Sequence, residues 1–170
     1  MIRKTLVLLA LLALVVPVAA TGASRLSGDG TLSVENGRGK VNVQARGGLI
    51  GRLDRGFVTI YDLTPNDANA PVVSGSDQPI GVVGQTGLRY RGQGIRFRII
   101  GGGFRVVIQG RGIDLSVVGR GSGYIEGEGL DTGLYSLDGQ DCRKNAASCE
   151  PLPLEGERFK LGSPERGGKD

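Results

Sequence analysis

Between Gly92 and Gly129 the chain reads G-x-G five times, at Gly92/Gly94, Gly101/Gly103, Gly110/Gly112, Gly119/Gly121 and Gly127/Gly129, in steps of eight or nine residues. Alternating apolar residues fill most of the gaps. Glycine reaches positive φ without steric cost, so each pair reads as a chain reversal and each gap as a strand of about six residues. The pattern predicts an all-β fold, a glycine-punctuated antiparallel meander closing into a small sandwich or barrel. A parallel β-solenoid is the alternative, because a nine-residue period would stack Ile95, Phe104 and Ile113 as a ladder.

The hairpin registers can be written out, since side chains alternate along a strand. A turn at Gly101-Gly102 sets Ile99 against Phe104 and Phe97 against Val106. One at Gly110-Arg111 sets Ile108 against Ile113 and Val106 against Leu115, and one at Gly37-Arg38 sets Val34 against Val41 and Leu32 against Val43. All three put apolar on apolar, a consistency between independent segments. Residues 41–60 laid on 106–125 match at Val41/Val106, Gln44/Gln109, Arg46/Arg111, Gly47/Gly112, Arg55/Arg120, Gly56/Gly121 and Ile60/Ile125. Those matches are compatible with an internal duplication and with chance in a chain so rich in Gly and Arg.

Ahead of this domain, Arg3 and Lys4 precede an apolar run from Leu6 to Ala20, the form of a secretory signal peptide cleaved after Ala20, with Ala23 as the alternative end. The run contains Pro17 and is shorter than the ~20 residues of a membrane-spanning helix, so no transmembrane anchor is expected after cleavage. A single all-β domain is expected over 24–162, with a long loop at 62–87 rich in Pro, Asn, Asp and Ser, and a disordered tail over 163–170. Short strands are expected around 134–137 and 158–161. The chain as a whole carries a net charge of +4. Cys142 and Cys149, the only cysteines, are expected to form a local disulfide in an oxidising compartment, secreted or in the cell-envelope space outside the cytoplasmic membrane.

Histidine is absent, which removes Ser-His-Asp and Cys-His systems and the commonest general base. The remaining route to catalysis is a carboxylate pair drawn from Asp54, Asp62, Asp114, Glu126 and Glu128, or Tyr90 or Tyr124 beside an arginine. A secreted glycosidase or lyase is therefore the alternative to a non-catalytic β-domain. No phosphate-loop or dinucleotide motif occurs, and no cofactor is expected. The nonapeptide spacing resembles the calcium-binding repeats of secreted RTX toxins, G-G-x-G-x-D-x-U-x. Here Phe97, Val106 and Leu115 hold the position of the ligating Asp, so the resemblance brings no calcium. Asp62, Asn66 and Asp67 offer oxygens, but their spacing matches no defined calcium loop, and no metal is expected.

Arginine is the local anomaly. Arg89, Arg91, Arg96, Arg98, Arg105, Arg111 and Arg120 fall between Leu88 and Ile125, with Asp114 the single acid in that window. In the meander register Arg96, Arg98 and Arg105 share one face, Arg98 directly across from Arg105, and like charges so placed destabilise a sheet by ~0.2–1 kcal/mol. An acidic polysaccharide or other envelope anion would relieve that repulsion through bidentate contacts, which makes Arg96, Arg98 and Arg105 the candidate ligand-binding residues, with Arg89 and Arg91 beside them. The competing account is an edge guarded against aggregation, with Glu150, Glu155 and Glu157 folded over the arginines. Nucleic acid is not expected as a partner, because the few aromatics are assigned to the core and leave no stacking platform.

Overall fold

A computed structural model describes residues 30–82 and 86–162. The expected signal segment 1–20 and the tail 163–170 lie outside the described residues. Two long strands dominate, β1 (Gly30–Asp62) and β4 (Gly87–Gly127), joined by β2 (Val72–Ser76) and β3 (Ile80–Gly81) and followed by β5 (Leu134–Ser136), β6 (Glu150–Pro151) and β7 (Glu157–Leu161). Every ladder is antiparallel. The fold is thus all-β and antiparallel, a seven-stranded sheet that is not closed into a barrel. The parallel solenoid is excluded for the same reason.

The chain does not reverse at its first four G-x-G pairs; the fifth, Gly127/Gly129, lies where β4 ends. β1 and β4 run on as one long antiparallel ribbon, and each strand pairs with the other along both of its edges. Ile108 lies between Val41 and Val58, and Val106 between Val43 and Ile60. The ribbon therefore coils, with 17 residues of each strand per turn and one corner roughly every half turn, which is the origin of the eight- to nine-residue glycine spacing. Gly92, Gly56, Gly110, Gly39 and Gly127 are successive partners across the sheet, and the coil creases along that column. Two of them show why no other residue serves there. Gly39 has φ +138° and Gly56 +144°, and a Cβ would sit 2.0 Å from the Glu126 carbonyl oxygen in the first and 2.1 Å from that of Gln109 in the second.

The creases divide the ribbon into two layers. Layer A takes β2, 93–100, 48–55, 111–118, 30–37, β5 and β6; layer B takes β3, 87–92, 56–62, 103–110, 39–46, 120–127 and β7. Alternation gives each layer one apolar face. Leu53, Ile95, Ile113 and Val117 from layer A and Val41, Val58, Phe104 and Ile125 from layer B are fully buried, and all belong to a single core. Complete burial of each such side chain contributes ~1.5–3 kcal/mol relative to exposure.

The hairpin registers are accordingly replaced. Ile99 pairs with Leu49, Phe104 with Ala45 and Asp62, Phe97 with Gly51 and Val73, Leu115 with Val34 and Gly51, Ile113 with Leu53 and Gly37, and Leu32 with Val117. A meander would pair each interior segment with the segments before and after it in sequence. In the coiled ribbon the partners come from the other long strand, as Ile108 takes Val41 on one edge and Val58 on the other, and the backbone donors and acceptors of both edges are satisfied that way. The windows 41–60 and 106–125 follow the same course, from layer B through layer A and back to B. The long loop at 62–87 contains both β2 and β3, and the strands near 134 and 158 lie where the sequence places them. Cys142 and Cys149 are bonded to each other.

Candidate functional site

The outer face of layer A can be read row by row from the register. One row crosses Val72, Arg98, Ile50, Ser116 and Ser33; the next crosses Ser74, Arg96, Arg52 and Asp114. These side chains floor an open groove of about 1010 Å³, walled on one side by β2 and on the other by Gln140, Asp141 and Arg143 of the disulfide loop. The wall stands where it does because the Cys142–Cys149 bond closes a seven-residue separation and the Cys142 side chain is buried. Its outer residues are thereby held over Glu35 and Asp114.

Charge in the groove is mixed and ordered. Arg52 and Arg96 face each other across the ladder, an arrangement that costs ~0.2–1 kcal/mol. Asp114 offsets this on the other side of Arg52. It is only 6% exposed, its Oδ1 accepts a hydrogen bond from the Asn36 N–H at 2.9 Å, and Arg52 Nη2 lies 2.8 Å from Oδ2. That second oxygen makes no directed hydrogen bond, so charge holds the pair. Asn36 itself has φ +50°, at a bulge where Asn tolerates the left-handed region better than most residues. Arg143 reaches down from the loop to Glu35 at 3.3 Å and Asp114 at 3.7 Å. Glu35, with Asp114 behind it, pushes the Arg143 pKa up. Arg96 and Arg98 have no carboxylate partner among the described residues. Beside them Ile50, Val72 and Val118 are each more than half exposed.

The structure therefore keeps Arg96 and Arg98 together and removes Arg105 from them. Arg98 pairs with Ile50 and Val72, whereas Arg105 pairs with Gln44 and Tyr61 on the outer face of layer B. The glycines at 101–103 turn the strand from one layer to the other between them, so the facing Arg98–Arg105 pair does not exist. Arg89 and Arg91 are on layer B as well, beside Thr59 and Phe57. Glu150 and Glu157 do not cover the arginines. Their carboxylates flank the Tyr135 hydroxyl at 3.4 and 3.2 Å, and burial, reinforced by those two charges, pushes that phenol up to about 12.

The carboxylates named as catalytic candidates fall into separate roles. Asp54 is exposed and 3.8 Å from Arg52. Asp62 accepts the Thr64 N–H at 2.9 Å, and Asp67 accepts the Thr64 hydroxyl at 2.6 Å and the Asn69 N–H at 2.8 Å, so both oxygen sets close the turn after β1. Glu126 accepts the Tyr124 hydroxyl at 2.9 Å, and that bond pushes the Tyr124 pKa up. Tyr90 faces inward and packs against the core. Among the described residues no group of three His, Cys, Asp or Glu side chains is arranged to hold a metal ion.

Sequence reasoning missed Arg52, Ser33, Ser116 and Arg143. The first three enter the groove through pairing between β1 and β4, which a corner-based reading of the glycine spacing would have exposed. Arg143 carries no local signal, since only the bonded loop delivers it. In comparisons with known proteins, no family model matches this chain, and neither a curated protein nor a solved structure does.

Proposed function

We propose that this protein is a non-catalytic, exported binding module that takes an acidic saccharide in the layer A groove. The observation that carries the reading is Arg96 and Arg98, two residues apart on one strand and without carboxylate partners among the described residues, in the same groove as hydroxyls, acids and exposed aliphatic side chains. A uronic acid unit needs all three. Its carboxylate matches a guanidinium fork, its hydroxyls need acceptors as well as donors, which Glu35, Asp141, Ser33 and Ser116 supply, and the apolar face of its ring matches Ile50 and Val118. The disulfide supports an oxidising compartment.

The test is binding of oligogalacturonate and of a neutral glucan to the full chain at two salt concentrations, with Arg96→Gln/Arg98→Gln beside the parent. Salt-sensitive binding to the uronate alone, weakened about tenfold or more in the double variant, is expected from the loss of two charge-assisted contacts. Equal binding by parent and variant refutes the reading.

A further inference from the structure

The outer face of layer B is built from a different chemistry. Lys40, Arg89, Arg91, Arg105, Arg158 and Lys160 project from it across six strand segments, a breadth of about 24 Å at the usual interstrand spacing. Among the described residues none of the six has a carboxylate within ion-pair distance. Glu126 is the one acid in these rows, and the Tyr124 hydroxyl already occupies it. Between Arg105 on one side and Arg158 and Lys160 on the other lies a basin of about 870 Å³ with Asn42, Gln44 and Ser122 in its lining.

Three of the chain's few aromatic rings are also on this face, contrary to the sequence expectation that the core needs them. Each lies under a cation: Arg89 is 4.7 Å from the Phe57 ring centroid, Arg105 5.3 Å from that of Tyr61 and Lys40 5.9 Å from that of Tyr124. A cation seated on a ring is held in place, and a guanidinium so stacked keeps its N–H edge free for an oxyanion. All three rings are half-buried, and each has one face taken by its cation, which leaves no uninterrupted row of open rings for successive bases to stack on.

We propose that this face is a second binding site, for a phosphodiester polymer of the polyol type, with a backbone phosphate seated in the basin between Arg105 and Lys160. The donor inventory sets the ligand class. Arg, Lys, amide and hydroxyl groups present donors almost without acidic acceptors, which matches a phosphate, an acceptor bearing charge, and fits poorly a hydroxyl-rich neutral or uronic sugar. The groove of layer A, with its acids, has the opposite balance. A line of phosphates also uses the full width of the cation rows, as a single small anion would not.

The test pairs labelled poly(glycerol phosphate) with the full chain, with Arg105→Gln/Lys160→Gln and with Arg96→Gln/Arg98→Gln. Arg96, Arg98 and Lys160 are exposed and Arg105 is half-buried, and thermal midpoints check that the variants fold. Phosphate-polymer binding is expected to weaken about tenfold or more in the layer B variant, to change less than about twofold in the groove variant, and to lose about 1.4 from its log–log salt slope, as removal of two phosphate contacts predicts for a flexible strand. Equal loss in both variants, or loss in neither, overturns the proposal. So does retention on phosphatidylglycerol vesicles without binding of the soluble polymer, or tighter, base-dependent binding of a single-stranded oligonucleotide. Failure of oligogalacturonate to bind touches only the groove and leaves this result standing, so the two readings fail separately.

Discussion

Replacing Gly56 by alanine tests the crease directly. Gly56 is partnered by Gly92 on one side and Gly110 on the other, with φ +144° and an ideal Cβ 2.1 Å from the Gln109 oxygen, 2.8 Å from the Gly110 Cα and 3.0 Å from the Gln109 carbonyl carbon. All three obstacles are backbone, so relief requires the ladder to separate. An L-residue in that conformation costs ~1–3 kcal/mol and forced separation another ~1–3 kcal/mol, about 2–6 kcal/mol together. That is a large part of the ~5–15 kcal/mol that holds a domain folded, and at ~2–4 °C per kcal/mol the melting temperature should fall by roughly 4–24 °C. Two controls separate the causes. Gly94 has φ +67° and open space around its Cβ, so Gly94→Ala carries only the left-handed cost of ~1–2 kcal/mol. Gly48 meets only the Ile99 oxygen at 3.7 Å and has no positive φ, so Gly48→Ala should be neutral or stabilise by up to ~1 kcal/mol. Thermal unfolding followed by far-ultraviolet circular dichroism gives the ranking. A Gly56→Ala protein melting within about 2 °C of the parent, or a Gly48→Ala protein falling as far as Gly56→Ala, would refute the steric account of the glycine columns.

Three further outcomes follow from other parts of the molecule. Asp114→Ala removes the acceptor of the Asn36 N–H and the counter-charge of Arg52, and should cost about 2 kcal/mol in urea unfolding with an unchanged m-value; an unchanged midpoint counts against the pairing. Tyr135 has its pKa raised to about 12, so the unfolded chain releases the proton near pH 10 while the folded chain keeps it. Its contribution is whole below pH 10 and lost as pH rises to about 12, roughly 2–3 kcal/mol in all. Tyr135→Phe should lack that extra loss, and parallel pH profiles for the two proteins would contradict it. Opening the Cys142–Cys149 bond, which spans a sequence separation of 7, should cost about 2.5 kcal/mol by loop-closure entropy. Hydrogen exchange should accelerate over 138–149 while β1 and β4 stay protected; protection of the loop unchanged after reduction would show that the bond does not build the groove wall.

Much of the strand content was legible because alternation is local. Val41-Asn42-Val43 and Ile95-Arg96-Phe97 declare their buried faces without reference to anything distant, and the structure buries them so. The glycines were legible as breaks, yet their meaning was not. A reversal and a corner both demand a residue without Cβ, and only pairing across long sequence separations, such as Gly56 with Gly92 and Gly110, decides between them. The arginines inherit that ambiguity. Arg96 and Arg98 stay together because no crease intervenes, while Arg98 and Arg105 part because Gly101, Gly102 and Gly103 do. The disulfide was readable from proximity and compartment, but the descent of Arg143 onto Glu35 and Asp114 was not, since a loop's direction is set by what it packs against.

A ribbon that changes layer at every corner also deals consecutive charges to opposite faces. The arginines between Leu88 and Ile125 look like one basic segment, yet Arg89 and Arg91 face outward from layer B, Arg96 and Arg98 from layer A, and Arg105 from layer B again. Packed sheets stand ~10 Å apart, and outward side chains on opposite faces are farther apart still. That exceeds the ~8 Å screening length at physiological ionic strength. The two faces therefore respond to salt and to ligands independently, and repulsion among the arginines is shared between two surfaces rather than concentrated on one. It also sets what joint occupancy can do. A short ligand cannot reach both faces, so the two sites as proposed give no avidity for one oligomer; a protein with both filled joins two separate chains.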